Sequence, residues 1–433
     1  MFFRTRFFVC TIIALTFVVP ISFAEETATT PDNANLELTV DNAVQRAVQG
    51  NIGLKENAIT LNAYKRASDY SWNSVSPTIT AAAGYSNPNT SDTSSFYLRG
   101  SVNVGLSASL YTAIQTAKLN YEKGQLDYDS AVRTVELSVR KSYNALLYEQ
   151  ENNNLLERNV ASAKKQYESN LAKYNSGALS QLDVLNTQVT YQNSQLSLAS
   201  AKVNWENDMA TFKQLLGIPL ETNITLNGSL QDILKTSDIT LDGITQKSST
   251  VISLEKQIEI AETALTATRF SAYGPSVSLG WSYQPTTTSL DTSTWNDNGS
   301  LSIGVSIPLD GWLPWSTGAQ SIAFRQDAIA TLKLQLENAK TTVAANTQSY
   351  LRKIQQCKAS ISLRQTSIDL AQKTYDMTLA AYNHGTKDLM SLQTASDNLL
   401  QAKVNLMSEA YTLASAILDL ENIVGVDFGT LNK

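Results

Sequence analysis

Between Pro275 and Leu309 the chain alternates residue by residue. Val277, Leu279, Trp281 and Tyr283 alternate with Ser276, Ser278, Gly280 and Ser282. Beyond a polar loop, Leu301, Ile303, Val305, Ile307 and Leu309 alternate with Ser300, Ser302, Gly304, Ser306 and Pro308. Successive strand side chains point to opposite faces, so each run predicts a strand with one apolar and one small polar face. A half-buried soluble sheet gives the same alternation, but its outer face usually carries Lys, Glu or Thr. Here the polar faces hold no charge, which suits the lumen side of a transmembrane strand of ~9–11 residues. A second copy precedes it. Ile79, Ala81, Ala83 and Tyr85 share one face, and Val102, Val104, Leu106, Ala108 and Leu110 alternate with Ser101, Asn103, Gly105, Ser107 and Ser109. Four strands cannot close on themselves, and an open edge in lipid leaves N–H and C=O groups unpaired. Closed barrels need ~8 or more strands, so several copies of the chain are expected to share one barrel.

The remainder reads as helix. A helical pattern runs from Val40 to about Trp72 and stops before Pro77. A proline-free region from about Thr112 to Tyr174 predicts one very long helix, broken at Asn175-Ser176-Gly177. The next helix, from about Ser180, places Leu182, Leu185, Val189, Leu196 and Val203 on a near-heptad seam and ends at Gly217 and Pro219. A helix from about Leu241 to Phe270 leads into the second strand pair. A second long helix follows from about Thr317 to Tyr382, broken at Asn383-His384-Gly385. The last carries Leu389, Leu392, Leu399, Leu406, Leu413, Ile417 and Leu420 and ends near Gly425. One unit is thus written twice, in residues 25–217 and 241–433, joined by a mixed segment at 218–240. A soluble coiled coil also produces such seams, but here each long helix begins directly after a strand pair. Helices growing from a barrel project from the membrane. Aromatics gather at both strand ends: Tyr111, Phe270, Tyr273, Trp312 and Trp315 at the helix junctions, and Tyr85, Phe96, Tyr97 and Tyr283 near the loops, as two girdles.

The first 24 residues read as an export signal. Arg4 and Arg6 precede the apolar run Phe7 to Val19, and Ser22-Phe23-Ala24 is a small-residue cleavage site. The run is too short to span a bilayer as a helix. Export, barrel-type strands and no membrane helix together predict an outer membrane, with the helices in the periplasm. The net charge is −6 and the basic residues are scattered, which does not favour nucleic acid. Beyond the signal one cysteine remains, Cys357, so no internal disulfide is expected. The single histidine, His384, has no metal-ligand pattern around it, and no nucleophile elbow or phosphate-cradling loop occurs, so neither an enzyme nor a cofactor is expected.

The doubled unit, the proline-entered hairpins and the paired helix-breaking turns resemble the TolC family of outer-membrane efflux and secretion channels. The short motifs are Leu-Thr-Val-Asp-Asn-Ala-Val at 38–44, Tyr-Asn-Ser-Gly at 174–177, Leu-Leu-Gly-Ile-Pro at 215–219 and Tyr-Asn-His-Gly-Thr-Lys at 382–387. The likeness runs from Leu38 to Gly425. It implies a mainly α chain with membrane β: a homotrimer whose 12-stranded outer-membrane β-barrel, four strands per chain, continues as a long periplasmic α-helical barrel. It further implies a duct contacting outer-membrane lipid, a periplasmic adaptor protein and an inner-membrane pump of RND, ABC or MFS type. In that family a carboxylate, a tyrosine and a basic residue hold the periplasmic tips shut, and by position these are Asp183, Tyr382 and Lys387. Ser176, Gly177, Ala178 and Leu179, with His384, Gly385 and Thr386, are the implied adaptor contacts. The tip aspartate ring of several relatives has no clear match, because the chain reads Leu389-Met390-Ser391-Leu392-Gln393; Asp388 and Gln393 are the nearest candidates for a tip lining. A passive porin and a structural trimeric stalk are the alternatives. A porin spends most of its chain on strands, whereas a stalk would fill its barrel rather than line it with Ser and Gly.

Overall fold

The computed structural model describes residues 36–87, 95–229, 248–288, 295–296 and 298–431. The export signal and the expected helix start at Leu241 lie outside these residues. A short strand β1 (Leu36–Leu38) opens the chain, followed by helices α1 (Val40–Gly50) and α2 (Ile52–Asp69). The expected single helix is therefore interrupted. Asn51 adopts an extended conformation, its side chain accepting from the Leu54 N–H and donating to the Leu215 carbonyl at 2.9 Å. One residue thus ends a helix, caps the next and ties both to a distant chain segment. The approach is close enough that a Cβ on Gly217 would lie 2.2 Å from the Gly50 carbonyl oxygen; Gly217 itself sits at φ +68°.

The strands β2 (Thr78–Ser86) and β3 (Ser95–Ser107) lead into α3 (Ala108–Asn175), which pairs with α4 (Gln181–Leu216). After β4 (Ile224–Leu226) come α5 (Ser249–Tyr273), β5 (Ser276–Tyr283), the two-residue β6 (Thr286–Thr287) and β7 (Gly299–Ser306). The chain closes with α6 (Thr317–Asn383) and α7 (Leu389–Val424). At 1.5 Å per residue the two long helices each reach on the order of 100 Å. The strand-to-helix boundary departs from the alternation: Ala108, Ser109 and Leu110 belong to α3, and Ile307 to Leu309 lie beyond β7. Periodicity cannot place such a boundary, since a strand and a first helical turn both tolerate Ser and Leu. None of the described helices is long and apolar enough to cross a membrane.

The two strand pairs form one antiparallel sheet in the order β2-β3-β5-β7, with β6 against the loop end of β3. The register keeps the faces separate across all four strands. Ile79 opposes Val102, Val102 opposes Trp281, and Trp281 opposes Leu301. On the other face Thr80 opposes Ser101, Ser101 opposes Ser282, and Ser282 opposes Ser300. Hydroxyls pair there, Thr80 with Ser101 at 2.7 Å and Ser282 with Ser300 at 2.8 Å. Tyr97 departs from the expected girdle. It lies on the polar face, with its ring over Gly84, while Tyr85 and Phe96 stack on the apolar face at 4.9 Å. Among the described residues, one edge of β2 and one edge of β7 have no partner strand.

The helices form a layer with the same logic. Near the sheet the lateral order is α2-α3-α5-α6, and farther away it is α4-α3-α7-α6. Two cores anchor the roots of the helix pairs. One gathers Leu38, Val139, Tyr143, Leu146, Phe212 and Leu216 around the parallel β1–β4 pair, where the Tyr143 hydroxyl lies 2.8 Å from the Leu38 carbonyl oxygen and 2.6 Å from that of Asn227. The other packs Ile354, Cys357 and Ile361 of α6 against Leu413, Ile417 and Leu420 of α7. Cys357 is buried, and desolvation first, then the Glu409 carboxylate, pushes its thiol up to about 11. The α7 seam expected from sequence is therefore internal.

The α4 seam is not. Leu182, Leu185, Val189, Leu196 and Val203 are all exposed, and α4 turns Val184, Thr187, Ser194, Met209 and Phe212 inward instead.

The chain end is clamped onto α3. Fully buried Glu421 accepts from the Gly429 N–H at 2.9 Å and the Leu431 N–H at 2.9 Å. Arg133 donates to the Glu421 carbonyl at 2.6 Å and stacks on the Phe428 ring. Replacing Glu421 by Ala leaves two backbone donors without their acceptor, a cost of about 1–3 kcal/mol. Limited proteolysis of Glu421→Ala should release the last residues well before any other cut, whereas an unchanged cleavage pattern would mean that the clamp holds without the carboxylate.

Candidate functional site

The candidate site is the end of the helical layer farthest from the sheet, where two turns are built alike. Gly177 and Gly385 adopt φ +75° and +74°, and a Cβ on either would meet nothing within 4 Å. Glycine is needed for the left-handed backbone rather than for space. In the first turn Gly177 N–H donates to Tyr174 and Ala178 N–H to Lys173; in the second Gly385 N–H donates to Tyr382 and Thr386 N–H to Ala381. These bonds satisfy the orphan carbonyls at the ends of α3 and α6. Ser180 then caps α4, accepting from the Asp183 N–H at 3.2 Å, and Asp388 caps α7, accepting from the Ser391 N–H at 3.2 Å. Ser176, Gly177 and Ala178 are exposed, as are His384, Gly385, Thr386 and Lys387, with Leu179 half-buried. Two short polar turns thus expose backbone and small side chains.

The three expected closing residues are not brought together within one chain. The Asp183 carboxylate accepts from the Ser180 hydroxyl at 2.6 Å. Tyr382 is buried, and its hydroxyl donates to Asn170 Oδ1 of α3 at 2.8 Å. Lys387 is exposed beside Asp388. The two lining candidates are likewise committed elsewhere. The hydrogen bonds from Ser391 hold the Asp388 carboxyl below its usual range, with Lys387 contributing less. Gln393 turns inward and donates to Thr190 Oγ1 of α4. It lines a half-open cavity of about 340 Å³ between the α3/α4 and α6/α7 pairs. Among the described residues no group of three or more His, Cys, Asp or Glu could hold a metal ion.

Sequence reading missed Asn170 and Lys173. Asn170 is fully buried, accepts from Gln166 as well as Tyr382, and leaves its Nδ2 without a partner. The Lys173 ammonium stands 5.0 Å from the Tyr382 ring centroid. Nothing in sequence marks Asn170, because α3 is rich in asparagine on every face.

At the opposite end the polar sheet face offers Ser, Thr, Asn and Gly to whatever space it encloses, while Leu301, Ile303 and Val305 face outward and exposed. Trp312, Trp315 and Tyr111 are exposed at the strand–helix junctions. An apolar band flanked by aromatic rings is what a bilayer and its interface require of a barrel wall.

The comparisons agree with this geometry. The chain matches the family model described as Outer membrane efflux protein over residues 43–218 and 244–426. No curated protein matches it. Among solved structures it is similar to the CmeC outer membrane channel of Campylobacter jejuni, at 18% identity and a TM-score of 0.75, covering 89% of this chain and 85% of that one. It is also similar to the outer membrane protein VceC of Vibrio cholerae, at 14% identity and a TM-score of 0.73, over 90% of this chain and 96% of that one. The open state of the Neisseria gonorrhoeae MtrE outer membrane channel aligns at 16% identity with a TM-score of 0.71, over 89% of each chain. Those likenesses establish a shared fold, and the family match adds membership: the chain belongs to the outer membrane efflux protein family.

Proposed function

We propose that three copies of this chain assemble head to tail into the exit duct of a tripartite efflux or type I secretion system. The duct carries small molecules or proteins from a periplasmic adaptor and an inner-membrane pump of RND, ABC or MFS type to the outside. The observation that supports this most is the matching of the chain's two open flanks. One flank presents the free edge of β2 with the sides of α2 and α4; the other presents the free edge of β7 with the side of α6. Both are apolar where they are helical. Leu182, Val189, Leu196 and Val203 repeat every seven residues along α4, and Leu363, Leu370 and Met377 do the same along α6, all exposed. The helices run in opposite directions. Counted from the two turn glycines, Met377 is level with Leu185, Leu370 falls between Val189 and Leu196, and Leu363 between Leu196 and Val203. That is the interleaving an antiparallel seam needs. A seam between unlike flanks is heterologous and closes into a ring. Three copies give the twelve strands that the family likeness implies, and the Ser- and Gly-bearing face becomes the wall of a wet lumen. The outward face meets outer-membrane lipid.

The exposed turns at Ser176 to Leu179 and His384 to Thr386 are the surface for the adaptor. Lys387 and Asp183 are not paired within one chain, and neighbouring copies would supply such links, exposed to water and worth roughly 0–1 kcal/mol each. Such weak links suit a gate that a docked partner opens.

Two measurements test the assembly and its gate. Leu196→Cys combined with Leu363→Cys should give disulfide-linked trimers on non-reducing gels, while either single variant stays monomeric; absence of linked species from the double variant would exclude the seam. In planar bilayers the unaltered protein should show a small, mostly closed conductance that rises severalfold in Lys387→Glu. A wide-open channel indifferent to that substitution would favour a passive porin, and no conductance in either would favour a stalk.

A further inference from the structure

We propose that a buried link between Asn170 and Tyr382 is an intrachain fastening of the periplasmic tip, with Lys173 as its outer cover. This rests on the gated-duct reading above and names the residues that set its resting position. Near the tip Tyr382 bonds to Asn170 and Gln393 to Thr190 across the α3/α4 and α6/α7 pairs, and a cavity of about 340 Å³ lies between them. Tyr382, in the last turn of α6, reaches past α7 to α3 and places its hydroxyl 2.8 Å from Asn170 Oδ1. Asn170 is 0% exposed and Tyr382 8%, so the bond is shielded from water. Lys173, one turn beyond Asn170 on α3, places its ammonium 5.0 Å from the centroid of the same ring. Gln166, one turn before Asn170, donates to Oδ1 at 3.2 Å and also lines the cavity. A polar column on one helix thus grips a single tyrosine on the other.

Asn170 Nδ2 has no acceptor in this arrangement. A buried donor left unsatisfied makes the closed position costly, so the fastening is a marginal one. Separation of the helix pairs would let water or another acceptor reach that amide, partly offsetting the loss of the tyrosine bond. The fastening joins an amide to a hydroxyl rather than two ions, so it should respond little to salt, unlike a link between Asp183 and Lys387.

The test uses the full-length protein in liposomes, with spin labels at Ser176→Cys and Thr386→Cys in the two turns and Cys357 left buried. The expected result is a narrow intrachain distance in the labelled parent, lengthened or broadened by Tyr382→Phe and by Asn170→Leu. The population with separated turns should rise about fivefold, the factor for one typical hydrogen bond. Combining both substitutions should add little, because they remove the same link. A tenfold rise in salt should leave the distance unchanged. A parent-like distance in both latch variants, or additive effects, would overturn the proposal, as would separation of the turns by salt alone. Circular dichroism of each variant separates local release from failure to fold, and Asn170→Gln, which keeps an amide, should restore part of the parental distance. Bilayer conductance of the same proteins then tells the two readings apart. If the turns separate without any change in current, the latch stands and the gate reading fails.

Discussion

A strand edge cannot be left open in lipid. Each unpaired N–H and C=O in a hydrocarbon layer costs several kcal/mol, and nothing in the bilayer can supply a partner. This chain builds a sheet in the order β2-β3-β5-β7 and stops, with an edge free at either end. Away from its loop end the sheet also separates apolar from Ser- and Gly-bearing residues along its paired register. A single copy is thus an arc of wall whose chemistry is complete on both faces and incomplete on both sides. Everything below the sheet inherits that condition, because the long helices leave the strands directly and keep their lateral order.

The helical layer shows how a repeated unit becomes asymmetric. The two helix hairpins share lengths, turns and caps, and they bury the same positions of the repeat: Val184 and Leu392, Met209 and Ile417, Phe212 and Leu420, Leu216 and Val424. In addition α4 carries an exposed apolar stripe, Leu182, Val189, Leu196 and Val203, where α7 has Met390, Asp397, Val404 and Tyr411. In the lateral order α4-α3-α7-α6, α7 is an inner member and α4 is a border. The border helix thus carries an outward apolar stripe that the inner helix lacks. The clamp of Glu421 and Arg133 and the core around Tyr143 fix the roots of both hairpins.

Much of this was legible in the sequence. Strand alternation needs only a period of two, and the doubled unit shows in the spacing of its glycines. The seams were legible as apolar faces but not as partnered ones: Leu196 and Leu399 look equivalent by periodicity, and only the layer tells that one is a border residue. The interruption at Asn51 escaped because its cause is a bond to Leu215, far away in the chain. Tyr382 could be named from its place before the turn, but its partner could not. Asn170 sits among many helical asparagines and becomes special only through burial. Asp183 and Asp388 illustrate the converse. Both stand three residues from a serine in a capping pattern, and the local bonds engage one oxygen of each carboxylate.

The central claim is that this chain is one segment of a closed ring and has no complete wall alone. Native mass spectrometry of the protein released from outer membranes in mild detergent tests it most directly. The account predicts a single species of three copies, persisting on dilution because sheet edges and helix flanks close together. A stable monomer that still inserts into membranes would contradict it.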